Sequence, residues 1–307
     1  MCSRLPSISV IIPTKDRPCD LKAALSSLFA QTTAFHQLII VDQSLSSETS
    51  TALKRYWAEA PARIRDAVKL DYIWDMNIPG AAVARNRAME IAEGDIWLFL
   101  DDDVILETDF LKEILAVYSG YPEVTGVSGI VTNYRPPSWQ FRLWDLIFVR
   151  GPFHDERQAI YWKADRLQGA NPIAVGKFGA GLMSFRARAV KGIRFDGNLR
   201  GVPAGEDVDF CMRLQSGALL MIAPRARLIH NRSSTTRSQQ HHIRRDLQSA
   251  HYLYRRNWNY GINNRLCFLW LTVGYALMAT LASVRRRSLD PWRALVGGFR
   301  DARRIAP

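Results

Sequence analysis

Three aspartates in a row, Asp101-Asp102-Asp103, end the apolar run Ile96–Leu100. Adjacent carboxylates at the end of a buried strand repel one another, and a divalent cation that prefers oxygen ligands is the economical way to hold them together. An Asp-rich turn that only opens the next helix has the same letters, although Thr108 or Asp109 can do that capping. Two earlier apolar runs also lead into acids: Ile8–Ile12 runs through Pro13 to Asp16, and Gln37–Val41 ends in Asp42. In an α/β sheet ligands bind at the carboxyl ends of the strands, where these acids fall. Four scattered cysteines and six histidines without HxxxH spacing point away from a zinc module or a disulfide scaffold.

The elements that must carry these acids alternate. Short β-branched runs (Ile8–Ile12, Gln37–Val41, Leu70–Trp74, Ile96–Leu100, Val124–Ile130) are separated by stretches of helical period. Those helices are predicted from an Asp20 N-cap through Ala30, from Glu48 to Ala60, over Ala81–Ala92 and over Thr108–Tyr118. Near-uniformly apolar strands alternating with helices predict an α/β fold, Rossmann-like, with a mainly parallel sheet flanked by helices. Residues 133–178, rich in Trp, Pro and Arg, read as an irregular segment over the site. A strand over Phe178–Phe185, a helix over Glu206–Ser216 and a strand over Leu219–Ile222 follow, and from Gln239 onward only helix is expected. It begins with an amphipathic helix over Gln239–Asn257 that has Ile243, Leu247, Ala250 and Tyr254 on one face. The chain has 307 residues, 48% apolar and 23% charged, which are globular proportions. The opening MCSRLP runs straight into a strand, so no signal peptide is expected.

Six segments in order (SVIIPTKDRP, VDQS, GAAVARNRAM, LFLDDDV, FGAGLMSFRARA and GEDVDFCMRL) span about residues 7–232. With them the chain resembles a family 2 glycosyltransferase of the GT-A fold, of the kind that builds bacterial cell-envelope polysaccharide, rhamnosyltransferase-like enzymes included. The resemblance implies that Pro13, Thr14, Asp16 and Arg17 line a nucleotide. It makes Asp42 the acceptor for a pyrimidine N3–H and places Arg85 and Asn86 on the same side of the cleft. Gln43 stands where relatives often carry a second Asp. The triplet corresponds to the family's DxD motif, with Asp101 near the ribose, Asp103 on the metal and Asp102 helping in either role. Mn²⁺ or Mg²⁺ is the implied cation, neutralising a departing diphosphate. Glu206-Asp207 resembles the acidic motif that holds the base. Asp207 takes the acceptor's proton and Glu206 orients acceptor hydroxyls, and attack opposite the leaving group inverts the anomeric carbon. The helix-opening dipole alone also attracts acids to such a first turn. His230 completes the metal or diphosphate site, or is a structural histidine. Arg232 and Arg237 suit a diphosphate, because guanidinium grips phosphate bidentately. Gly179, Ala180 and Gly181 shape the donor and acceptor cleft by letting backbone approach a sugar.

The net charge of +12 has one owner. Residues 225–307 carry 16 Arg against three Asp, whereas residues 1–150 net −4. Between Arg265 and Arg285 lie 19 uncharged residues, followed by Arg285-Arg286-Arg287. Arginine on both flanks supplies no gradient for crossing, so this segment is expected to lie in the plane of an anionic membrane or re-enter it, with a single span or a buried core helix as the alternatives. The expected organisation is a glycosyltransferase domain over 1–235, with a nucleotide-binding half (1–132) and an acceptor half (133–235), then a membrane-associating helical tail over 236–307. Residues 240–307 meet the membrane, at the cytoplasmic face of the plasma membrane, as a peripheral or monotopic protein. The expected partners are a nucleoside-diphosphate sugar and a glycan or lipid-linked acceptor. A nucleotidyltransferase would want a glycine-rich first loop in place of PTKDRP, and a non-catalytic adaptor would not need the intact acids. The uncharged stretch does not suit a nucleic-acid groove, so no nucleic acid is expected.

Overall fold

A computed structural model of the chain describes residues 5–179, 181–198, 205–231, 239–257 and 261–304. The chain forms two compact units. One holds residues 1–134, 156–197 and 213–233; the other holds 135–155, 198–212 and 234–307.

The first unit is built on a nine-stranded sheet. Its strands are β1 (Ile8–Thr14), β2 (Gln37–Asp42), β3 (Lys69–Trp74), β4 (Ile96–Leu100), β5 (Val104–Leu106), β6 (Val124–Val131), β7 (Ile173–Val175), β8 (Leu182–Arg186) and β9 (Leu219–His230). Its helices are α1 (Pro18–Phe29), α2 (Glu48–Ala58), α3 (Ala62–Arg65), α4 (Ala81–Met89) and α5 (Phe110–Gly120). The order is β3-β2-β1-β4-β8-β6-β9-β5, with β7 beside β9. β1, β2 and β4 are buried along their whole length, as strands covered on both faces must be. α1 starts at Pro18, where a residue without an N–H costs a first turn nothing, so Asp20 sits inside the first turn instead of capping it.

The sheet is mixed, with the expected parallel pairing in part of it. β3, β2, β1 and β4 are parallel, and so are β6 and β9. The pairings β4–β8, β6–β8, β5–β9 and β7–β9 are antiparallel. The long connections among the first four strands allow parallel crossovers. An apolar run buried on both faces carries no sign of direction, so the alternation of elements alone could not separate the two cases.

The second unit is helical among the described residues: α6 (Trp139–Phe148), α9 (Glu206–Met212), α10 (Gln239–Asn257), α11 (Ile262–Arg286) and α12 (Asp290–Arg304). Two short helices, α7 (Glu156–Tyr161) and α8 (Ala187–Val190), belong to the sheet unit. Residues 133–178, expected to be irregular, therefore contain α6, α7 and β7. Ser138 caps α6 by accepting from Phe141 N at 3.3 Å. On α10 the expected apolar face is the buried one: Ile243 and Leu247 pack with Ala279 and Leu295, and Tyr254 stacks on Phe268 at 4.9 Å. Among the described residues one helix, α11, is long and apolar enough to cross a membrane.

Candidate active site

The sheet register explains how the acidic triplet gains its neighbours. β4 ends at Leu100, whose antiparallel partner is Leu182, so Gly181 comes to rest beside Asp101. Asp101 N donates to Gly181 O at 3.0 Å. A Cβ on Gly181 would sit 1.7 Å from Asp101 Oδ2, and its φ of +67° is the left-handed region. The closest neighbour that demands glycine here is thus the Asp101 carboxylate. The pairing of β5 with β9 sets Val104 against His230, one residue beyond Asp103, and Asn231 N donates to Asp103 O at 2.8 Å. His230 Nε2 consequently lies 2.9 Å from Asp103 Oδ1 and 3.9 Å from Asp101 Oδ2.

Asp101, Asp103 and His230 each turn a ligand atom into one cluster, with all three atoms within 4.8 Å of one another. The donor set of two carboxylates and one imidazole fits a divalent ion of the Mn²⁺ or Mg²⁺ kind, the imidazole tilting the balance toward Mn²⁺. The cluster is a candidate metal site. Two arginines balance its charge. Arg85, only 3% exposed, donates from Nη2 to Asp101 Oδ1 at 2.9 Å and lays its guanidinium over the Phe195 ring at 5.5 Å. It is therefore not a solvated residue on an outer helix face. Arg17 Nη1 lies 3.3 Å from Asp102 Oδ1 and 3.7 Å from Asp103 Oδ2. Thr14 Oγ1 donates to Asp102 Oδ2 at 2.7 Å. Burial nevertheless pushes the Asp102 carboxyl up to about 6; Thr14 and Arg17 oppose the shift, and Asp103 and Asp101 add to it.

The carboxyl ends of β1, β2 and β3 stand in register at Thr14, Asp42 and Trp74. Asp42 is fully buried, and both its oxygens have partners: Ser44 N donates to Oδ1 at 2.8 Å and Tyr72 Oη to Oδ2 at 2.7 Å. Burial, with the bond to Asp42 second, holds the Tyr72 phenol well above its usual range. Asp16, at φ +54°, donates from its N to Ser44 Oγ at 2.8 Å and accepts from Leu45 N at 3.3 Å. Trp74 keeps an exposed indole face while Nε1 donates to Ser44 O at 2.9 Å. Tyr72 and Trp74 belong to no motif singled out above, and Ser44, the last residue of VDQS, carries no role there. Only the fact that β3 ends level with β2 marks them. Pro13 is buried in β1. Asn86 spends its amide on Phe195, donating to its O at 2.8 Å and accepting from its N at 2.7 Å.

Glu206 and Asp207 open α9 in the helical unit, both partly exposed, with Val208 N donating to Asp207 Oδ1 at 2.8 Å. The third acid of that turn behaves differently. Asp209 is fully buried and its Oδ1 accepts from Asn257 Nδ2 at 2.8 Å and lies 3.1 Å from Arg256 Nε, so it fastens α9 to α10. Gly179 is buried in the segment leading to Gly181. Ala180, Arg232 and Arg237 lie outside the described residues.

Residues 9–187, more than half of the chain, match the sequence pattern of glycosyl transferase family 2. The chain belongs to that family. It is 26% identical over 137 residues to the validoxylamine A glucosyltransferase of Streptomyces hygroscopicus, covering 44% of this chain and 31% of that one. It is 30% identical over 165 residues to a PGL/p-HBAD biosynthesis glycosyltransferase of Mycobacterium bovis, covering 52% of this chain and 59% of the relative. The chain thus spans less than two thirds of the length of these curated relatives. The mannosyltransferase PcManGT from Pyrobaculum calidifontis, solved with GDP-Man and Mn²⁺, superposes at a TM-score of 0.61 and 16% identity over 98% of this chain and 88% of that one. The fold is GT-A-like, with its mixed sheet and one long apolar C-terminal helix.

Proposed function

We propose that this chain is a metal-assisted, inverting glycosyltransferase that takes a sugar from a nucleoside diphosphate and delivers it to a hydroxyl of a glycan or lipid-linked saccharide. The observation that carries the proposal is the cluster of Asp101, Asp103 and His230 at the end of β4, inside the family-2 region. A divalent cation bound there supplies charge neutralisation for the departing diphosphate. The chain's own residues do the rest. Arg85 holds Asp101 and Arg17 holds Asp102, which keeps the three carboxylates in place. Pro13, Thr14, Asp16, Arg17, Asp42, Arg85, Asn86, Asp101 and Asp102 form the nucleotide side. On this reading Asp42, steadied by Tyr72 and Ser44, offers the remaining lone pairs of its carboxylate to the base. Asp207 accepts the proton of the acceptor hydroxyl on its carboxylate as the new bond forms, and Glu206 orients the acceptor. Gly179, Ala180 and Gly181 border the sugar, and Arg232 and Arg237 serve the diphosphate.

Within this reading, residues 1–235 are the catalytic domain, divided near residue 132 into nucleotide and acceptor halves, and residues 236–307 bring the enzyme to the cytoplasmic face of the plasma membrane. What supports that location is the apolar length of α11 between runs of arginine. Relatives named for O-antigen and for PGL/p-HBAD biosynthesis, and a mannosyltransferase of the same fold solved with GDP-Man, favour a cell-envelope acceptor and a nucleotide-sugar donor.

A thermal-shift screen with UDP, dTDP, GDP and CDP, each with and without Mn²⁺, tests the donor side. One nucleotide is expected to raise the melting temperature, and by more with Mn²⁺ than without. No shift with any nucleotide under either condition would remove the nucleotide-sugar reading.

A further inference from the structure

Large apolar side chains are exposed along one side of α11: Ile262, Leu266, Leu269, Val273, Leu277, Leu281 and Val284 recur every three or four residues. At 1.5 Å per residue this stripe is about 33 Å long. The opposite side of the same helix carries its buried residues, Phe268, Leu271, Gly274 and Ala279. α6 repeats the arrangement on a smaller scale, with Trp139, Leu143, Leu146 and Ile147 exposed at the same spacing.

The two helices are locked together. A Cβ on Gly274 would lie 2.5 Å from Phe148 Cγ, so α6 approaches α11 as closely as a glycine permits. Trp144 Nε1 donates to Gly274 O at 2.9 Å, and Trp270 Nε1 donates to Ile147 O at 2.8 Å. Since Trp270 and Ile147 are themselves exposed, the two stripes meet there. Two hydroxyls of α11 are turned back onto their own helix. Thr272 Oγ1 donates to Phe268 O at 2.9 Å, and Thr280 Oγ1 donates to Ala276 O at 2.8 Å. Hydroxyls and indole N–H groups satisfied within the helices are what contact with a medium lacking hydrogen-bond partners requires.

We propose that α6 and α11 together form one membrane-inserting face, laid along the surface of a bilayer rich in anionic lipid. The inference rests on the membrane reading above and adds a second leg to it, from the middle of the chain. Charge chooses the occupant. No acid lies between Arg265 and Arg285, and the arginines 142, 150, 265, 285, 286 and 287 are all exposed around the apolar surface. A rim dominated by arginine around an extended apolar face, with Asp145 and Asp290 the acids nearest to it in sequence, suits a continuous layer of anionic headgroups. α11 does not leave the unit to span, because its inner side packs on Leu247, Leu295 and Phe299 of α10 and α12, which carry eight arginines between them. A spanning α11 either abandons that packing or drags those charges into hydrocarbon.

The test is co-sedimentation of the full chain with vesicles of phosphatidylcholine, alone or mixed with phosphatidylglycerol. Two double variants on exposed positions, L143E/L146E and L269E/L277E, are compared after circular dichroism has verified their folding. Each is expected to weaken binding to the mixed vesicles by about tenfold or more. If L143E/L146E binds like the unaltered chain while L269E/L277E does not, α6 is no part of the face and the tail reading survives. If both bind like the unaltered chain, the membrane reading itself falls. If both variants instead break a dimer seen by light scattering and vesicles bind nothing, the face belongs to a second copy and the proposal is overturned. A lone cysteine introduced by Leu289→Cys into a chain with Cys2, Cys19, Cys211 and Cys267 replaced by serine checks the lie of α11. An impermeant maleimide applied outside intact spheroplasts is expected to leave it unlabelled, and labelling would mean a span.

Discussion

The two units treat charge and apolar surface in opposite ways. In the sheet unit apolar side chains are inside and charges converge: Asp101, Asp102 and Asp103 face Arg17, Arg85 and His230 at the ends of buried strands. In the helical unit many apolar side chains are outside, beyond those packed between its helices. Of 20 large apolar side chains exposed among the described residues, 15 belong to it, though it is the smaller unit. Its arginines are spread around the rim. A buried acid therefore means different things in the two places. Crowded acids such as Asp103 cost stability and are kept for what they can bind, whereas Asp209, matched to Arg256 and Asn257, is kept for what it holds together.

Asp103→Ala is the sharpest way to break this contrast. It is expected to lower Mn²⁺-dependent release of nucleoside diphosphate from sugar donors by about a hundredfold or more while leaving the melting temperature unchanged or higher. Full turnover would move the metal elsewhere. Asp209→Ala is expected to do the reverse. It leaves Arg256 with a lost partner and costs the helical unit about 3 kcal/mol, measured by denaturant midpoint, and Asp209→Asn recovers part of that. Gly181→Ala falls between them. Its new Cβ must push the Asp101 carboxylate aside, so Mn²⁺ titration is expected to show affinity weakened by about tenfold with a modest loss of stability. Salt separates the rim from the face. Where the Debye length falls to about 3 Å, binding to anionic vesicles weakens but does not vanish, since the apolar contribution is not screened.

The smallest effect is at Asp145 on α6. Burial raises this carboxyl above its usual range. A raised acid means the folded state holds the proton more tightly, so the charged form costs stability once pH exceeds the folded value. Asp145→Asn is accordingly expected to raise the melting temperature slightly at neutral pH. That gain fades as pH drops toward about 4, the ordinary carboxylate value. An equal gain at both ends of the range would mean the residue is not strained by its charge.

Much of this was legible in the residues. The alternation over 1–131, the triplet ending β4, the acidic start of α9 and the apolar face of α10 all follow from period and spacing. The pairing of β5 with β9 did not follow, because a three-residue strand has too short a pattern to reveal its partner, and with it went the geometric reason for His230. α6 escaped for another cause. Trp139, Leu143, Leu146 and Ile147 face out while Phe148 faces in, so its outward side is apolar, the reverse of what a helix on a globular surface presents. Asp209 reads like its neighbours Glu206 and Asp207, and only the position of α10 shows that it is the enclosed one.

The pairing of Val104 with His230 also has a meaning in time. When the triplet leaves the ribosome, Arg17 and Arg85 already exist, but the imidazole is about 130 residues from being made. Contacts so distant in the chain form late, after the loops between them have closed. The half-finished protein therefore presents a carboxylate pair with no nitrogen ligand, a poorer trap for transition metals than the finished cluster. Completion of the last strand is what completes the candidate metal site, which thereby reports on the integrity of the sheet that carries it.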